Sequence, residues 1–290
     1  MAYYLYIILA MIIWSTLGVF IKSAELPVAT IMFYPSAISV FIQLPMFLSK
    51  KMRQEFPSFK KISLLALVSL VVLSNTYSFF LAYSWTTIPN AVFTHYIAPV
   101  LVAILSPVFL KDKLHVSIFI SLTVATIGLW LILKDVSIVT IVKNGGFDRN
   151  FFGIISGLVS GVMYAVLVIL LKLYMSMYNR NIIVFIQNTF VALYLLPFVT
   201  LPPRQYIWMF IVIGIFHSTI ANYLYYKGLE KVQACKAAIL GYIEPVGSIL
   251  CGIIFLSEHV NLFSLIGGIM IIFSGYIVMR QKHEKCVQPL

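Results

Sequence analysis

The sequence is poor in charge and in the motifs from which soluble enzymes build their sites. Only 10% of the 290 residues are charged, against about 25% in an ordinary soluble domain. The three cysteines, Cys235, Cys251 and Cys286, show neither metal-site spacing nor the even number of a disulfide framework. No nucleotide-binding loop, zinc motif or nucleophile elbow occurs. We therefore expect no cofactor, no metal, no catalytic residues and no ATP-driven activity.

Apolar residues, by contrast, are in large excess. They make up 61% of the chain, and the mean hydropathy is +1.01. About 20 apolar residues cross a bilayer as a helix, and the chain divides into ten such segments with charge confined to the joints. The segments are 2–21, 27–48, 62–83, 91–110, 116–133, 151–171, 182–200, 206–226, 234–256 and 262–279. The sequence therefore predicts an all-α integral membrane protein with ten transmembrane helices.

The basic residues are distributed unevenly over the joints. The net charge is +11, which in a soluble protein would suggest nucleic acid. Only five of the 20 Lys and Arg residues fall in the joints on one side, namely Lys22, Lys134, Lys143, Arg149 and Arg204. Basic residues concentrate in cytoplasmic loops, so the charge predicts orientation and no nucleic-acid partner. We expect a multi-pass plasma (inner) membrane protein with both termini in the cytoplasm.

The second half of the sequence repeats the first. At an offset of 146 residues, 77–114 aligns with 223–260 without a gap, so that Tyr96-Ile97-Ala98-Pro99-Val100 falls on Tyr242-Ile243-Glu244-Pro245-Val246. Five helices per half is an odd number, which predicts an inverted repeat, a common plan of secondary transporters. The predicted units are a five-helix repeat at 1–135, an outer linker at 136–150, a second repeat at 151–280 and a cytoplasmic tail at 281–290.

These features together resemble a known family. The paired halves, the proline-centred segments each followed by Asp112 or Glu258, and the glycines of segments five and ten resemble EamA-type members of the drug/metabolite transporter superfamily. The resemblance covers nearly the whole chain. It implies a transporter fold, and the family includes exporters of amino acids and drugs as well as importers of metabolites. Lys111-Asp112-Lys113 departs from the Gly-Glu of many relatives.

Glu244 is the principal candidate for the transport site. Of nine acidic residues it alone falls in the middle of a predicted helix. A carboxylate at the bilayer centre is costly and normally faces a cavity or a partner. We expect Glu244 to bind a cation or exchange a proton, and the alternative is a protonated side chain that hydrogen-bonds a neighbouring helix.

His95 is the second candidate, because the first half offers this imidazole one turn before Pro99, on the helix face where the second half offers the Glu244 carboxylate. Histidine can carry substrate or a proton, although a neutral histidine buried in a bundle is common. Asn75, His217 and Asn222 must also find partners at membrane depth. Each of them either lines the pathway or only joins helices by hydrogen bonds.

Aromatic residues and prolines complete the candidate set. Aromatic side chains inside the segments could wall a cavity for an organic cation through cation–π attraction; these are Trp14, Tyr34, Tyr77, Tyr96, Tyr223 and Tyr242. Pro99 and Pro245 occupy matched positions and predict kinks, which either act as hinges or serve only helix packing. Gly153, Gly157 and Gly161 form a small-residue ladder that predicts close helix packing inside the monomer.

Three functions are compatible with these patterns. The first is a secondary transporter that moves a small amphiphilic metabolite, an amino acid or organic cation, by alternating access, with export favoured by the resemblance and proton coupling through Glu244. The second is uptake of a charged metabolite such as S-adenosylmethionine. The third is a membrane-embedded enzyme that uses Glu244 and His95 as an acid–base pair. The expected partners are the small-molecule substrate, lipid and protons, in a monomer or homodimer.

Overall fold

The computed structural model describes residues 2–24, 26–86, 88–132, 149–174, 177–256 and 262–280. The predicted tail at 281–290, Glu258 and most of the predicted linker at 136–150 lie outside these ranges. All regular secondary structure in the described ranges is helical, which confirms the predicted all-α class. A helix satisfies every backbone N–H and C=O within its own segment, as an apolar environment requires.

Fifteen α-helices follow one another along the described chain. They are α1 (Ala2–Ser15), α2 (Leu17–Ala24), α3 (Val28–Gln43), α4 (Lys50–Gln54), α5 (Phe59–Trp85), α6 (Ile88–His95), α7 (Ala98–Leu110), α8 (Val116–Ile132), α9 (Arg149–Tyr174), α10 (Arg180–Leu195), α11 (Ile207–Val212), α12 (Asn222–Leu229), α13 (Ala234–Gly241), α14 (Ile243–Leu256) and α15 (Leu262–Arg280). Short 3₁₀ turns at Leu44–Leu48, Leu196–Phe198 and Arg204–Tyr206 extend the neighbouring helices.

Within the described ranges, seven helical stretches are long and apolar enough to cross a membrane. They are Ala2–Ile21, Val28–Leu48, Phe59–Trp85, Asn90–Leu110, Arg149–Tyr174, Arg180–Phe198 and Arg204–Leu229. Two shorter apolar helices, Val116–Leu131 and Leu265–Arg280, occupy the fifth and tenth predicted segments, and α13 with α14 occupies the ninth. The structure thus supports a multi-pass membrane protein, while ten crossings stay a prediction.

The main helix contacts join the N-terminal half of the chain to the C-terminal half. The most extensive pairs are α5 with α9, α8 with α15, α3 with α10 and α1 with α12. Helix α7 also packs against α13. The interior of the molecule is therefore an interface between the two halves.

The glycine ladder lies on α9 where α5 and α6 come close. A Cβ atom at Gly153 would lie 2.8 Å from Thr86, and one at Gly161 would lie 2.6 Å from the carbonyl oxygen of His95. Gly157 faces Thr94 in the same way. The predicted packing of these glycines inside the chain is confirmed.

Two helices break at matched positions. The fourth segment is interrupted at Tyr96 and Ile97, and the ninth at Tyr242. Pro99 and Pro245 fall in the first turn of the helices that follow, α7 and α14, where a missing N–H leaves no vacant hydrogen bond. Each proline therefore lies just after a break between two helices. The prediction of a kink within a continuous helix is corrected accordingly.

Candidate functional site

A cavity of about 180 Å³ lies between the two halves. Its polar lining residues are Ser36, Asn75, Thr76, His95, Gln187, Asn188, His217, Ser218, Asn222 and Glu244. Its aromatic lining residues are Trp14, Phe79, Phe80, Tyr164, Tyr225 and Tyr226. Residues from both halves thus enclose a mixed polar and aromatic space within a bundle whose outer surface carries many exposed apolar side chains.

Glu244 enters this cavity from the broken ninth segment. It lies in the first turn of α14, directly after the break at Tyr242. The N-terminal turn of a helix favours negative charge through its free N–H groups. A Cβ at Gly241, three residues before Glu244, would meet nothing within 4 Å. The break therefore gives Glu244 a stabilised position with open space beside it.

His95 belongs to a hydrogen-bond network that joins three helices. Its Nδ1 lies 2.8 Å from the Ser160 hydroxyl on α9. The Asn75 amide of α5 donates to the Ser160 carbonyl at 2.9 Å. The imidazole also packs on the Phe79 ring with centroids 4.3 Å apart. His95 and Asn75 are thus both cavity-lining groups and structural links between helices.

His217 lies in a stretch of π-helix, Ile213–Ala221, between α11 and α12. Its Nε2 is 3.0 Å from the Thr16 hydroxyl, which itself donates to the Ile13 carbonyl at 2.8 Å. Because that hydroxyl has one hydrogen, Nε2 must be the donor to Thr16. The Trp14 indole donates to the His217 carbonyl at 3.4 Å. π-Helical segments occur frequently at functional sites.

The remaining amides line the cavity on α10 and α12. The Tyr226 hydroxyl donates to the Gln187 oxygen. Asn188 and Asn222 both donate to the Ser218 carbonyl, at 3.1 and 2.9 Å. The two asparagines thus both bind the Ser218 carbonyl within the π-helix, where backbone hydrogen bonds run i→i+5 in place of i→i+4.

The cavity therefore contains six of the eleven predicted substrate or coupling residues. They are Trp14, Asn75, His95, His217, Asn222 and Glu244. Their role in binding stays a prediction.

Tyr96 and Tyr242 cross the interface between the two helix breaks. Their rings stack with centroids 5.4 Å apart. The Tyr96 hydroxyl donates to the Gly241 carbonyl and the Tyr242 hydroxyl to the Tyr96 carbonyl, both at 3.2 Å. Tyr242 also contacts the Thr126 hydroxyl at 3.1 Å. These tyrosines therefore join the two helix breaks to each other.

The other predicted tyrosines lie away from the cavity lining. Tyr34 stacks on Phe210 with centroids 5.1 Å apart. Tyr223 packs under the Arg180 guanidinium at 5.4 Å. Tyr77 is a partly buried residue packed against the apolar core.

Sequence reasoning did not select several residues that line the site. Gln187, Asn188, Tyr164, Tyr225 and Tyr226 all face the cavity. The adjacent residues Gln187 and Asn188 could have been selected from the sequence, because two carboxamides within an apolar helix must find partners at membrane depth. No such signal marks the tyrosines, which the chain uses at many positions.

The fold and cavity define a class: a polytopic helical membrane protein with a polar chamber between its halves. The EamA-like transporter family model matches residues 1–134 and again 151–280. The chain belongs to this family, and it is a membrane transporter.

Relatives and a solved structure agree with that assignment. An uncharacterized transporter of Archaeoglobus fulgidus is 26% identical over 205 residues, which are 70% of this chain and 72% of the relative. A second one from the same organism is 27% identical over 195 residues, 64% of this chain and 66% of the relative. A crystal structure at 16% identity gives a TM-score of 0.78 over 96% of this chain and 98% of the other, a likeness that shows the fold.

The family and these names point to a transporter rather than an enzyme. Among the described residues, no group of three or more His, Cys, Asp or Glu side chains could hold a metal ion.

Proposed function

We propose that the protein is a secondary transporter that moves a small amphiphilic organic cation or amino acid by alternating access. The observation that carries the proposal is the position of Glu244 in the cavity lining. This residue is the only Asp, Glu, Lys or Arg among the described residues that line the cavity. A single carboxylate in an otherwise uncharged chamber attracts a cationic group and can exchange it for a proton.

Alternating access is supported by the relation between the halves. The same family model matches each half, and the two helix breaks lie 146 residues apart, which is the sequence offset of the repeat. In transporters built from inverted repeats, the substrate site lies near the midplane between the repeats, where helices are discontinuous. Glu244 lies directly after one of the two helix breaks, which supports this proposal.

The amphiphilic character of the substrate is supported by the walls of the cavity. Six aromatic side chains line it, and the Trp14 and Tyr225 rings approach with centroids 5.3 Å apart. Aromatic faces attract cations and pack on apolar groups. Export across the plasma membrane is the direction we propose on the family resemblance, and the basic joints support cytoplasmic termini.

Counterflow in proteoliposomes tests the proposal. Reconstituted protein is given a labelled panel of amino acids, primary amines, nucleosides and S-adenosylmethionine, with and without a pH gradient. We expect a cationic or zwitterionic compound to accumulate with the gradient, and Glu244→Gln to abolish that accumulation. Glu55→Gln, a change at a surface Lys51–Glu55 pair, is the matched control.

The outcomes separate the possible roles of Glu244. Flux that ignores both the gradient and Glu244→Gln would make the protein a facilitator and Glu244 a structural residue. Conversion of a labelled compound into a new one would overturn transport in favour of an enzyme.

A further inference from the structure

The directions of the cavity amides can be assigned from their partners. Asn75, Gln187, Asn188 and Asn222 all line the cavity. A backbone carbonyl can only accept a hydrogen bond, so an amide group that contacts one must present its nitrogen. The oxygen of the same amide then points elsewhere.

Two of these amides already use both N–H hydrogens in hydrogen bonds within the protein. The Asn75 nitrogen donates to the Ser160 carbonyl at 2.9 Å and hydroxyl at 3.2 Å. The Asn188 nitrogen donates to the carbonyls of Val184 and Ser218, at 2.9 and 3.1 Å. An amide nitrogen carries two hydrogens, so neither residue has a donor left for a ligand.

The oxygens of three amides are free to accept. In the described part of the chain nothing donates to Oδ1 of Asn75, Asn188 or Asn222. None of these oxygens is among the fully buried polar atoms without partners, so each keeps accessible surface.

The donors that face the cavity are all neutral. The Asn222 nitrogen has one bond, to the Ser218 carbonyl, and so keeps one hydrogen. The Gln187 oxygen is taken by Tyr226, which leaves the Gln187 nitrogen as a further donor. The described lining contains no Lys or Arg. The chamber therefore presents a carboxylate and three amide oxygens. Its donors are the neutral N–H groups and the hydroxyls of Ser36, Thr76, Ser218 and Tyr225, and none of them carries a positive charge.

The complementary ligand is a cation rich in N–H donors. We infer, on the basis of the proposed function, that the substrate's charge is a primary ammonium or guanidinium group, which donates hydrogen bonds to Glu244 and the amide oxygens. A quaternary ammonium would leave these acceptors unpaired in a closed chamber, and an unpaired buried acceptor is costly. A free amino acid would bring a carboxylate for which the chamber has no charged partner.

The aromatic walls alone would favour a quaternary ammonium group over a primary one. Aromatic cages bind quaternary ammonium groups through cation–π attraction. A pair of ligands with the same charge and skeleton but different numbers of N–H groups therefore separates the two kinds of recognition.

Titration calorimetry on the full-length detergent-solubilised protein provides the test. The probes are 2-phenylethylammonium, its N,N,N-trimethyl derivative, and phenylalanine, which adds a carboxylate to the same skeleton. We expect the primary ammonium to bind at least about ten-fold more tightly than either of the others. Equal or tighter binding of the trimethyl compound or of phenylalanine, or binding of none of them, would overturn the inference.

Asn188→Leu tests the amide oxygens directly, and Asn181→Leu on the same helix, outside the cavity lining, is its control. The cavity variant should weaken the primary ammonium about ten-fold and leave the trimethyl compound unchanged, which also shows that the protein is folded. An equal effect on both probes would overturn the role of the amide. If Glu244→Gln abolishes binding of a preferred trimethyl compound, the proposed function stands and this inference fails. If no probe responds to Glu244→Gln, both fail.

Discussion

Ser160 shows how much a single hydroxyl can carry at this site. It is fully buried, contacts His95 at 2.8 Å and accepts from Asn75 at 3.2 Å. Ser160→Ala should lower the free energy of unfolding by about 1–3 kcal/mol, because buried polar groups lose a partner. Ser274 is equally buried but bonds only a carbonyl of its own helix, so Ser274→Ala should cost less. Thermal unfolding in detergent compares the two, and equal losses would contradict the network.

At the scale of single residues, the sequence predicted which polar residues are costly to bury in a membrane, but it did not predict their hydrogen-bond partners. Glu244, His95 and Asn75 were recognisable because polar groups are expensive at membrane depth. Ser160 was not, since a serine in a helix can bond its own backbone. Lys236 is only 2% exposed, and nothing in the sequence around it indicates that burial.

Among the described glycines, Gly161 makes the closest approach to backbone atoms of another helix. A Cβ there would lie 2.6 Å from the His95 carbonyl, which is backbone and cannot turn aside. Gly161→Ala should therefore lower the free energy of unfolding by about 1–3 kcal/mol through overpacking, despite the helix propensity of alanine. At Gly268 a Cβ would make an ordinary contact of 3.7 Å, so Gly268→Ala should be neutral or stabilising. Thermal unfolding of both variants is the measurement, and a tolerated Gly161→Ala would show that α6 and α9 can separate.

The matched helix breaks should control the rate of transport. Pro99 and Pro245 prevent the new helices from extending back across the breaks, since proline clashes with the carbonyl four residues before it. Alanine at either position allows the helix to continue, while cavity contacts stay in place. We expect Pro99→Ala and Pro245→Ala to change the maximal counterflow rate several-fold, with little change in the substrate concentration that gives half of the maximal rate. Equal changes in both parameters would remove the hinge role. Pro107→Ala, within α7 but away from the break, is the control.

For the molecule as a whole, periodicity and composition predicted where the helices lie but not how they are interrupted. Helices α5 and α9 fall on predicted segments with longer ends, because long apolar runs can only be helical in a bilayer. The π-helix at Ile213–Ala221 carries no proline or other marker. Within it, Gly214 lies against Ile38 and the Pro35 carbonyl of α3, a contact between segments that are far apart in the sequence. Interactions between distant segments therefore shaped the part of the site that sequence reasoning could not reach.

Charged residues of both halves lie near each other at one end of the molecule, outside the cavity. Asp112 follows α7 in the first half, and Lys172 and Lys236 of the second half lie within its electrostatic reach. Burial raises the pKa of the Asp112 carboxyl, and the two positive charges act against that rise. Lys172 also donates to the carbonyls of Leu229 and Val232, at 2.6 and 2.7 Å. If the halves rock about the cavity, this end must separate when the site opens on its side.

Buried Cys235 can report that separation. It lies in α13, which packs against α7, and the residue has no exposed surface. In a Cys251→Ser, Cys286→Ser background we expect slow labelling by a membrane-impermeant maleimide. Asp112→Asn should accelerate labelling several-fold, because the attraction to the lysines of the other half is lost. Glu55→Gln, at the surface, should leave the rate unchanged. Labelling that is indifferent to Asp112→Asn and to transported substrate would mean that the halves do not part at this end.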